Sequence, residues 1–404
     1  MALSRKFRSI VFKVHALAGA YLLFLLMLVF VTGFLTLFQD EVELLSRPGL
    51  FVSHADPERQ ADFGKMYDRV KAAYPDAHVF VMAASPRPWL GDKVRIRDKV
   101  SGQRTVWLDP VTDEIMGNTG RRAAALPEGI RKLHVQLLAA GPIARYAVPA
   151  LSFVVFASIV TGLITYRRFW KGLLRRPPAT ADARNRAGAW HRLLALWLLP
   201  FLLAVSLTGM VFFVSNLGFE PHFARHEPSS VRETPMPEGF SGKDLDAAIA
   251  AAQAMVPGMR IDSVIFPTLR RDPIMMLGVE PEVGRLFGKS TVVVDPVGPK
   301  ILAINAARSG NTMAAVIPLA NQIHFGTFLG WKSVPLWAVF AIASMMLLTE
   351  AAKIRAARMH TGGGAERAGT WKALRGFARS LHHVRWLYLL MFLVFAALLA
   401  RHVI

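Results

Sequence analysis

Four histidines occupy matching positions in the two halves of this chain and are its best candidates for chemistry. His15 and His191 each begin an apolar run, whereas His134 and His324 each precede one. Neutral imidazole nitrogen is a good ligand for iron, and ionisable side chains inside apolar segments are costly and usually functional. The pattern predicts two b-type haems with bis-histidine ligation, one on His15 and His191 and the other on His134 and His324.

A porphyrin needs small residues beside its axial ligands. Gly19 and Ala195 lie one helical turn after His15 and His191, on the same helix face. Threonine–glycine pairs in the runs would bring further small residues to the depth of the haems; these pairs are Thr32-Gly33, Thr161-Gly162 and Thr208-Gly209. The basic residues that could neutralise haem propionates are Arg8, Lys13, Arg192, Arg131, Lys132 and Lys332.

Other histidines leave alternatives open. His382, His383 or His402 could replace one of the four expected ligands. His222 and His226 are spaced to share a helix face and could bind a metal ion, or lie at the surface without one. The four histidines could also be hydrogen-bonded to backbone or lipid headgroups with no metal at all.

The chain contains no cysteine. This excludes disulfides, cysteine-ligated iron–sulfur clusters, zinc–thiolate sites and covalently attached haem. A redox cofactor would therefore have to be non-covalent and held by other side chains.

Hydrophobic residues make up 53% of the 404 residues and fall in blocks. A bilayer core of about 30 Å needs about 20 apolar residues in helical form. The predicted spans are residues 14–38, 147–166, 193–214 and 334–349, with a fifth at 386–400. The first run is too long for a signal peptide and lacks a small-x-small cleavage site, so we expect an uncleaved helix.

The net charge of +20 is unevenly distributed. Most of the basic excess lies in residues 1–14, 167–192 and 351–379, whereas the long segments 39–142 and 216–333 are nearly neutral. The positive-inside rule then predicts a cytoplasmic N-terminus and places both long segments outside. Nucleic-acid binding is not needed to explain the charge.

The residue pattern of each long outer segment predicts one helix followed by strands. The first has a predicted helix at 57–74 and strands at 77–82, 93–96, 103–108 and 114–116. The second has a helix at Gly242–Met255 and strands at 260–266, Ile274–Val279, Ser290–Val294 and 300–304. An Asp-Pro turn precedes the last strand of each. The predicted fold is a duplicated α-helical membrane bundle, of four core helices plus a fifth, with two small α+β outer domains.

These motifs together resemble the PepSY-associated transmembrane family, and within it the bacterial siderophore reductases of the ferrioxamine-iron type. The matching stretches are residues 14–19 with Thr32-Gly33, 106–112, 133–138 with Thr161-Gly162, and 190–193 with Thr208-Gly209. The fourth helix departs from the pattern, since Thr349-Glu350 stands where Thr-Gly is expected.

The resemblance implies a multi-pass protein of the bacterial inner membrane that acts as a ferric-siderophore reductase. A cytoplasmic or quinol donor would supply electrons, two haems would carry them outwards, and ferric siderophore in the periplasm would be reduced to release Fe(II). We expect the substrate to dock near Arg131, Lys132, Phe325, Phe328 and Trp331. Two alternatives are a haem-bearing subunit for another reductase, and a membrane-anchored PepSY regulator that binds a peptide or protease without redox activity.

The implied organisation has nine segments. In order they are the N-terminus with the first span (1–38), the first PepSY-like domain (39–142), the second span (143–167), a basic loop (168–190), the third span (191–215), the second PepSY-like domain (216–326), the fourth span (327–350), another basic loop (351–380) and the fifth span (381–404).

Overall fold

The structure is a computed structural model. It describes residues 4–98, 102–137, 141, 143–166, 169–173, 182–219, 229–230, 234–282, 284, 286, 288–306 and 311–359. The predicted fifth span and the alternative ligands His222, His226, His382, His383 and His402 lie outside these residues.

The chain forms two compact units. The helical unit comprises Met1–Leu37, Gly129–Leu217 and Pro335–Ile404, and the sheet unit comprises Phe38–Glu128 and Gly218–Val334. Numbered in chain order, the helices are α1 (Arg5–Tyr21), α2 (Leu23–Thr36), α3 (Gln39–Leu44), α4 (Phe63–Ala73), α5 (Arg121–Gln136), α6 (Ala144–Thr165), α7 (Ala183–Trp197), α8 (Leu199–Asn216), α9 (Gly242–Met255), α10 (Thr312–His324) and α11 (Val334–Met359). The strands are β1 (His78–Ala83), β2 (Asp92–Asp98), β3 (Gly102–Leu108), β4 (Ile115–Gly120), β5 (Arg260–Ile265), β6 (Ile274–Val279), β7 (Ser290–Val294), β8 (Ile301–Asn305) and β9 (Phe328–Trp331).

Three helices of the described chain are long and apolar enough to cross a membrane: Ala144–Thr165, Leu199–Asn216 and Gly330–Ala357. In the most apolar window of Ala144–Thr165 only 11% of the residues are buried. Its apolar side chains therefore point outwards, as expected for a helix in contact with lipid.

The prediction of one continuous helix over residues 14–38 is wrong. The run is divided between α1 and α2, which meet at Leu22 with a bend of 61° and form a span only if the bent pair is counted as one. The third predicted run is also divided into two helices, α7 and α8, at Leu198. Both breaks fall at the same distance after a histidine, His15 or His191, so the duplication extends to the helix breaks.

Small residues allow helices of this unit to approach closely. A Cβ atom added to Gly209 of α8 would lie 2.7 Å from Cβ of Ser152 on α6, too close for a real side chain. Leu198, at the break between α7 and α8, forms a buried apolar cluster with Phe201 and Leu202 of α8 and Leu347 of α11. The Thr208-Gly209 pair therefore serves the packing of α6 against α8.

The sheet unit contains one eight-stranded antiparallel sheet, in the order β4-β3-β2-β1-β5-β6-β7-β8. The strands of the two chain halves meet at β1 and β5, where Met82 pairs with Val264 and Ala83 with Ser263. The predicted fold class, a helical bundle carrying two separate small α+β domains, is therefore wrong. The hydrogen bonds between β1 and β5 join both repeats into one sheet.

One core serves both halves of the sheet. Helices α4 and α9 cover one face, and their buried residues Phe63, Met66 and Leu245 belong to the same cluster as Met82 and Val264 of the central strands. A side chain at Gly242 would lie 2.3 Å from the carbonyl oxygen of Gly64, so the two helices cross where neither has a side chain. Because both repeats bury apolar side chains in this one core, the hydrophobic effect stabilises them together.

The other face of the first sheet half is covered by α3 and the segment that follows it. Leu44, Leu50 and Leu90 pack there against Trp107, which is completely buried. The indole nitrogen of Trp107 donates to Oγ1 of Thr119 at 3.0 Å, and the hydroxyl of Thr119 donates to the buried carboxylate of Glu43. The buried polar groups of this cluster are therefore hydrogen-bonded.

Candidate functional site

The structure brings His15 and His191 together in the helical unit. Their imidazole rings have centroids 6.3 Å apart and planes inclined by 71°. Both rings are half-buried. The histidines lie within α1 and α7 rather than at the helix starts that we predicted.

A Thr-Gly pair of α6 holds the ring of His15. The Nδ1 atom of His15 lies 3.0 Å from Oγ1 of Thr161. A Cβ atom on the neighbouring Gly162 would lie 3.6 Å from Cε1 of the same ring, which is an ordinary contact distance. The hydroxyl of Thr161 also lies 3.2 Å from the carbonyl oxygen of Ser158, one turn earlier in the same helix.

His134, near the end of α5, is held in the same way by a Thr-Gly pair of α2. Its Nδ1 atom lies 3.1 Å from the carbonyl oxygen of Val29 and 3.3 Å from Oγ1 of Thr32. A Cβ atom on Gly33 would lie only 2.9 Å from Cε1 of the ring. Two of the Thr-Gly pairs thus contact histidine rings directly, whereas the sequence pattern predicts only that they leave room for a porphyrin.

His191 has a backbone partner instead. Its Nδ1 atom lies 3.3 Å from the carbonyl oxygen of Leu347 on α11. Leu347 precedes Glu350 by the same interval that separates Val29 from Thr32. By this register Glu350 and Ala351, rather than Thr349 and Glu350, occupy the position of a Thr-Gly pair in the fourth helix.

His324, the last residue of α10, belongs to the sheet unit. Its ring is half-buried and meets Phe325 edge to face at 5.8 Å between centroids. Because His134 and His324 lie in different units, their pairing stays a prediction. Helices α5 and α10, which carry these two histidines, were not predicted.

The surroundings of His15 and His191 fit a haem. Two imidazoles on opposite sides of one metal ion, with bonds of about 2 Å, have ring centroids about 6 Å apart. Both Nδ1 atoms are engaged, as is usual for histidines that ligate through the other nitrogen. An added Cβ at Gly19 would meet nothing within 4 Å, and Nε of Arg8 is buried with no hydrogen-bond partner in the described chain.

The structure shows contacts for some of the other residues that we predicted to bind propionates or to form the docking surface. Arg192 lies over the ring of Tyr166, 5.9 Å from its centroid. Within the sheet unit, Trp331 meets Trp89 edge to face at 5.6 Å, and Phe325 is 49% exposed. Arg131 and Lys132 belong to the helical unit, so the expected docking surface stays a prediction.

The sheet unit contains a cavity of about 380 Å³ beside the central strands; Asp40, Lys93, Arg260, Asp262, Lys289 and Trp331 are among its lining residues. Nζ of Lys93 lies 2.8 Å from the carboxylate of Asp40, and Nζ of Lys289 lies 2.6 Å from that of Asp262. Burial by itself would raise the pKa of Asp40, but the charge and hydrogen bonds of Lys93, together with the charges of Arg87 and Arg95, outweigh it and lower the pKa below its ordinary value. The charged groups of the cavity wall thus form ion pairs.

Apolar helices of spanning length and histidines positioned by neighbouring helices define this chain as a membrane protein with a candidate metal centre. The family model described as the PepSY-associated TM region matches residues 12–350. The chain therefore belongs to the PepSY-associated transmembrane family. Among curated proteins, none matches the chain.

Proposed function

We propose that this protein binds b-type haem between His15 and His191 and carries electrons across a membrane. The observation that carries the proposal is the 6.3 Å separation of the two ring centroids, which suits one metal ion between them. Haem, when bound there, supplies one-electron redox chemistry. The engaged Nδ1 atoms of both histidines leave Nε2 of each ring as the ligand nitrogen.

Residues of the chain itself would orient the cofactor and neutralise the charge of its carboxylates. Arg8 lies two turns before His15 on the same side of α1, and its buried Nε atom needs an acceptor, so we assign it to a haem carboxylate. The open space at Gly19 would take the edge of the macrocycle. No cysteine is available to attach the haem covalently.

A second haem would be held by His134 with His324. The support is the shared environment of His134 and His15, each with a threonine hydroxyl at Nδ1. We propose His324 as the partner because it has the matching place in the duplicated sequence. Two haems at different depths would let the protein pass electrons through the bilayer.

The proposed acceptor is a ferric siderophore, which the resemblance implies. Hard oxygen ligands hold Fe(III) much better than Fe(II), so reduction favours release of the iron. The distribution of basic residues supports an inner-membrane location with the N-terminus in the cytoplasm and the sheet unit in the periplasm. The donor would then be a cytoplasmic reductant or a quinol.

The test uses the full chain purified in detergent after expression with ample haem. We expect about two extractable haems with low-spin spectra. After reduction by dithionite, a ferric hydroxamate siderophore with a ferrous chelator should reoxidise the protein and form the coloured Fe(II) chelate. Full haem content without this reoxidation would favour the haem-bearing subunit. A colourless protein would reject the haem proposal and favour the peptide- or protease-binding regulator.

A further inference from the structure

We propose that Thr32 and Thr161 are positioning residues that fix the imidazole tautomer of the neighbouring histidines. Each threonine hydroxyl would hold the ring proton on Nδ1, and thereby present the lone pair of Nε2 to iron. This inference rests on the proposed function for its purpose, although the tautomer itself can be measured without haem.

The direction of these hydrogen bonds follows from the threonine protons. A hydroxyl has one proton to donate and two lone pairs to accept with. The hydroxyl of Thr161 is 2.6 Å from the carbonyl oxygen of Ala157, and that of Thr32 is 2.8 Å from the carbonyl oxygen of Leu28. Since these carbonyl groups can only accept, the threonine protons are already used.

The threonine oxygens can therefore only accept from the histidines. Nδ1 of His15, 3.0 Å from Thr161, and Nδ1 of His134, 3.3 Å from Thr32, must then carry the ring proton. The carbonyl oxygen of Val29, 3.1 Å from Nδ1 of His134, requires the same assignment. In a neutral imidazole with a proton on Nδ1, Nε2 has the free lone pair that a metal needs.

The glycine that follows each threonine completes the arrangement. Cε1 lies between the two ring nitrogens, and it is the atom that a Cβ on Gly33 or Gly162 would approach first. At Gly33 the missing side chain lets the ring of His134 reach the hydroxyl of Thr32, whereas a Cβ on Gly162 would make an ordinary contact of 3.6 Å with His15. A Thr-Gly pair is thus suited to seating a histidine from the neighbouring helix.

His15 and His191 have different partners at Nδ1, a threonine hydroxyl for His15 and a backbone carbonyl group for His191. Among the described residues, the carbonyl oxygen of Leu347 is the one acceptor at Nδ1 of His191. Glu350, at the threonine position by register, bonds instead to Lys353 at 2.6 Å. We therefore expect Thr161 to be the one threonine whose hydroxyl positions a histidine of this pair.

The experiment compares Thr161→Val and Thr32→Val with matched controls one turn along the same helices. Thr165 and Thr36 also have hydroxyls that donate within their own helices, to the carbonyl oxygens of Gly162 at 2.9 Å and Gly33 at 2.8 Å. Thr165→Val and Thr36→Val therefore remove a similar hydroxyl without touching a histidine bond. Thr161→Ser, which keeps the hydroxyl, serves as the rescue variant.

The first readout is the ¹⁵N chemical shift of the histidines in haem-free protein. We expect the Nδ1-protonated form of His15 to lose population in Thr161→Val, and to persist in Thr161→Ser and Thr165→Val. His134 should lose less of this form in Thr32→Val, because the carbonyl oxygen of Val29 still accepts from its Nδ1. The second is titration with haem, in which Thr161→Val should raise the dissociation constant about 10- to 100-fold, as loss of such partners does at other metal sites.

These outcomes separate the two proposals. If Thr161→Val matches Thr165→Val in both readouts, the positioning role is rejected even if haem binds. If the natural chain takes up no haem, the proposed function fails, while the ¹⁵N shifts still decide the tautomer.

Discussion

Gly33 and His134 are in such close contact that a Cβ atom on Gly33 would lie 2.9 Å from Cε1 of His134. We expect Gly33→Ala to displace the ring and to destabilise the haem-free protein by about 1–3 kcal/mol, the usual cost of overpacking. Unfolding of the purified protein in detergent measures this change. Gly19→Ala is the control, because it adds a methyl group where nothing lies within 4 Å. In a helix this substitution should stabilise by up to about 1 kcal/mol. Equal effects of the two substitutions would contradict the contact.

His15→Ala and His191→Ala should each remove the same single haem, because each leaves the other histidine with an incomplete site. The double variant should then lose no more haem than either single one. Pyridine haemochromogen spectra of the purified proteins measure the content. His54→Ala is the control, since His54 is an exposed residue whose Nε2 lies 2.9 Å from Asp109 in the sheet unit. Loss of two haems in the double variant and one in each single variant would show that the two histidines serve different sites.

The ion pair of Asp40 and Lys93 should stabilise the sheet unit, because both side chains are less than 20% exposed. Asp40→Asn leaves the lysine charge with a weaker partner, and we expect a loss of about 1–3 kcal/mol in unfolding free energy. Lys289→Met is the comparison, since Lys289 is 38% exposed in its pair with Asp262. That variant should cost less than about 1 kcal/mol.

The same pair gives a pH dependence with a defined sign. The pKa of Asp40 is lowered in the folded chain, so the stability it contributes is present above the unfolded value of 3.8 and is lost as pH falls through the folded value. Unfolding midpoints of the natural chain should therefore fall more steeply below pH 3.8 than those of Asp40→Asn. Parallel pH curves for the two proteins would show that Asp40 does not contribute in this way.

Topology can be tested with reporters that are active on only one side of the membrane. Fusions after Thr180 and Gly364 should report cytoplasm, and fusions within residues 56–123 or 238–306 should report the periplasm, because basic residues concentrate in the cytoplasmic segments. A cytoplasmic signal from either part of the sheet unit would reverse the proposed direction of electron flow.

The sequence by itself determined most of the local structure. Helix Gly242–Met255 and strands Ile274–Val279 and Ser290–Val294 begin and end at the predicted residues. Strand and helix periodicities, together with turn residues, are local signals that survive in a single sequence. The four histidines were also identifiable, because the duplication repeats them in equivalent places.

Local sequence patterns did not reveal the two helix breaks, nor helices α5 and α10, which carry His134 and His324. Leu22 and Leu198 each lie within a continuous apolar run, and leucine gives no sign of a break. Helices α5 and α10 contain Pro127 and Pro318, residues that usually argue against a helix interior. Packing against other elements overrides these local preferences.

Only the tertiary structure decided which elements meet. The alternation of residues in β1 and β5 predicts strands but does not specify which strands pair. Because Met82 of β1 pairs with Val264 of β5, the strands of the two expected domains form one sheet. Likewise, the sequence predicts the Thr-Gly pairs only as small residues beside a porphyrin. The packing of the helices places Thr161 3.0 Å from His15 and Thr32 3.3 Å from His134. Contacts between distant segments depend on the packing of the whole chain, which no local pattern records.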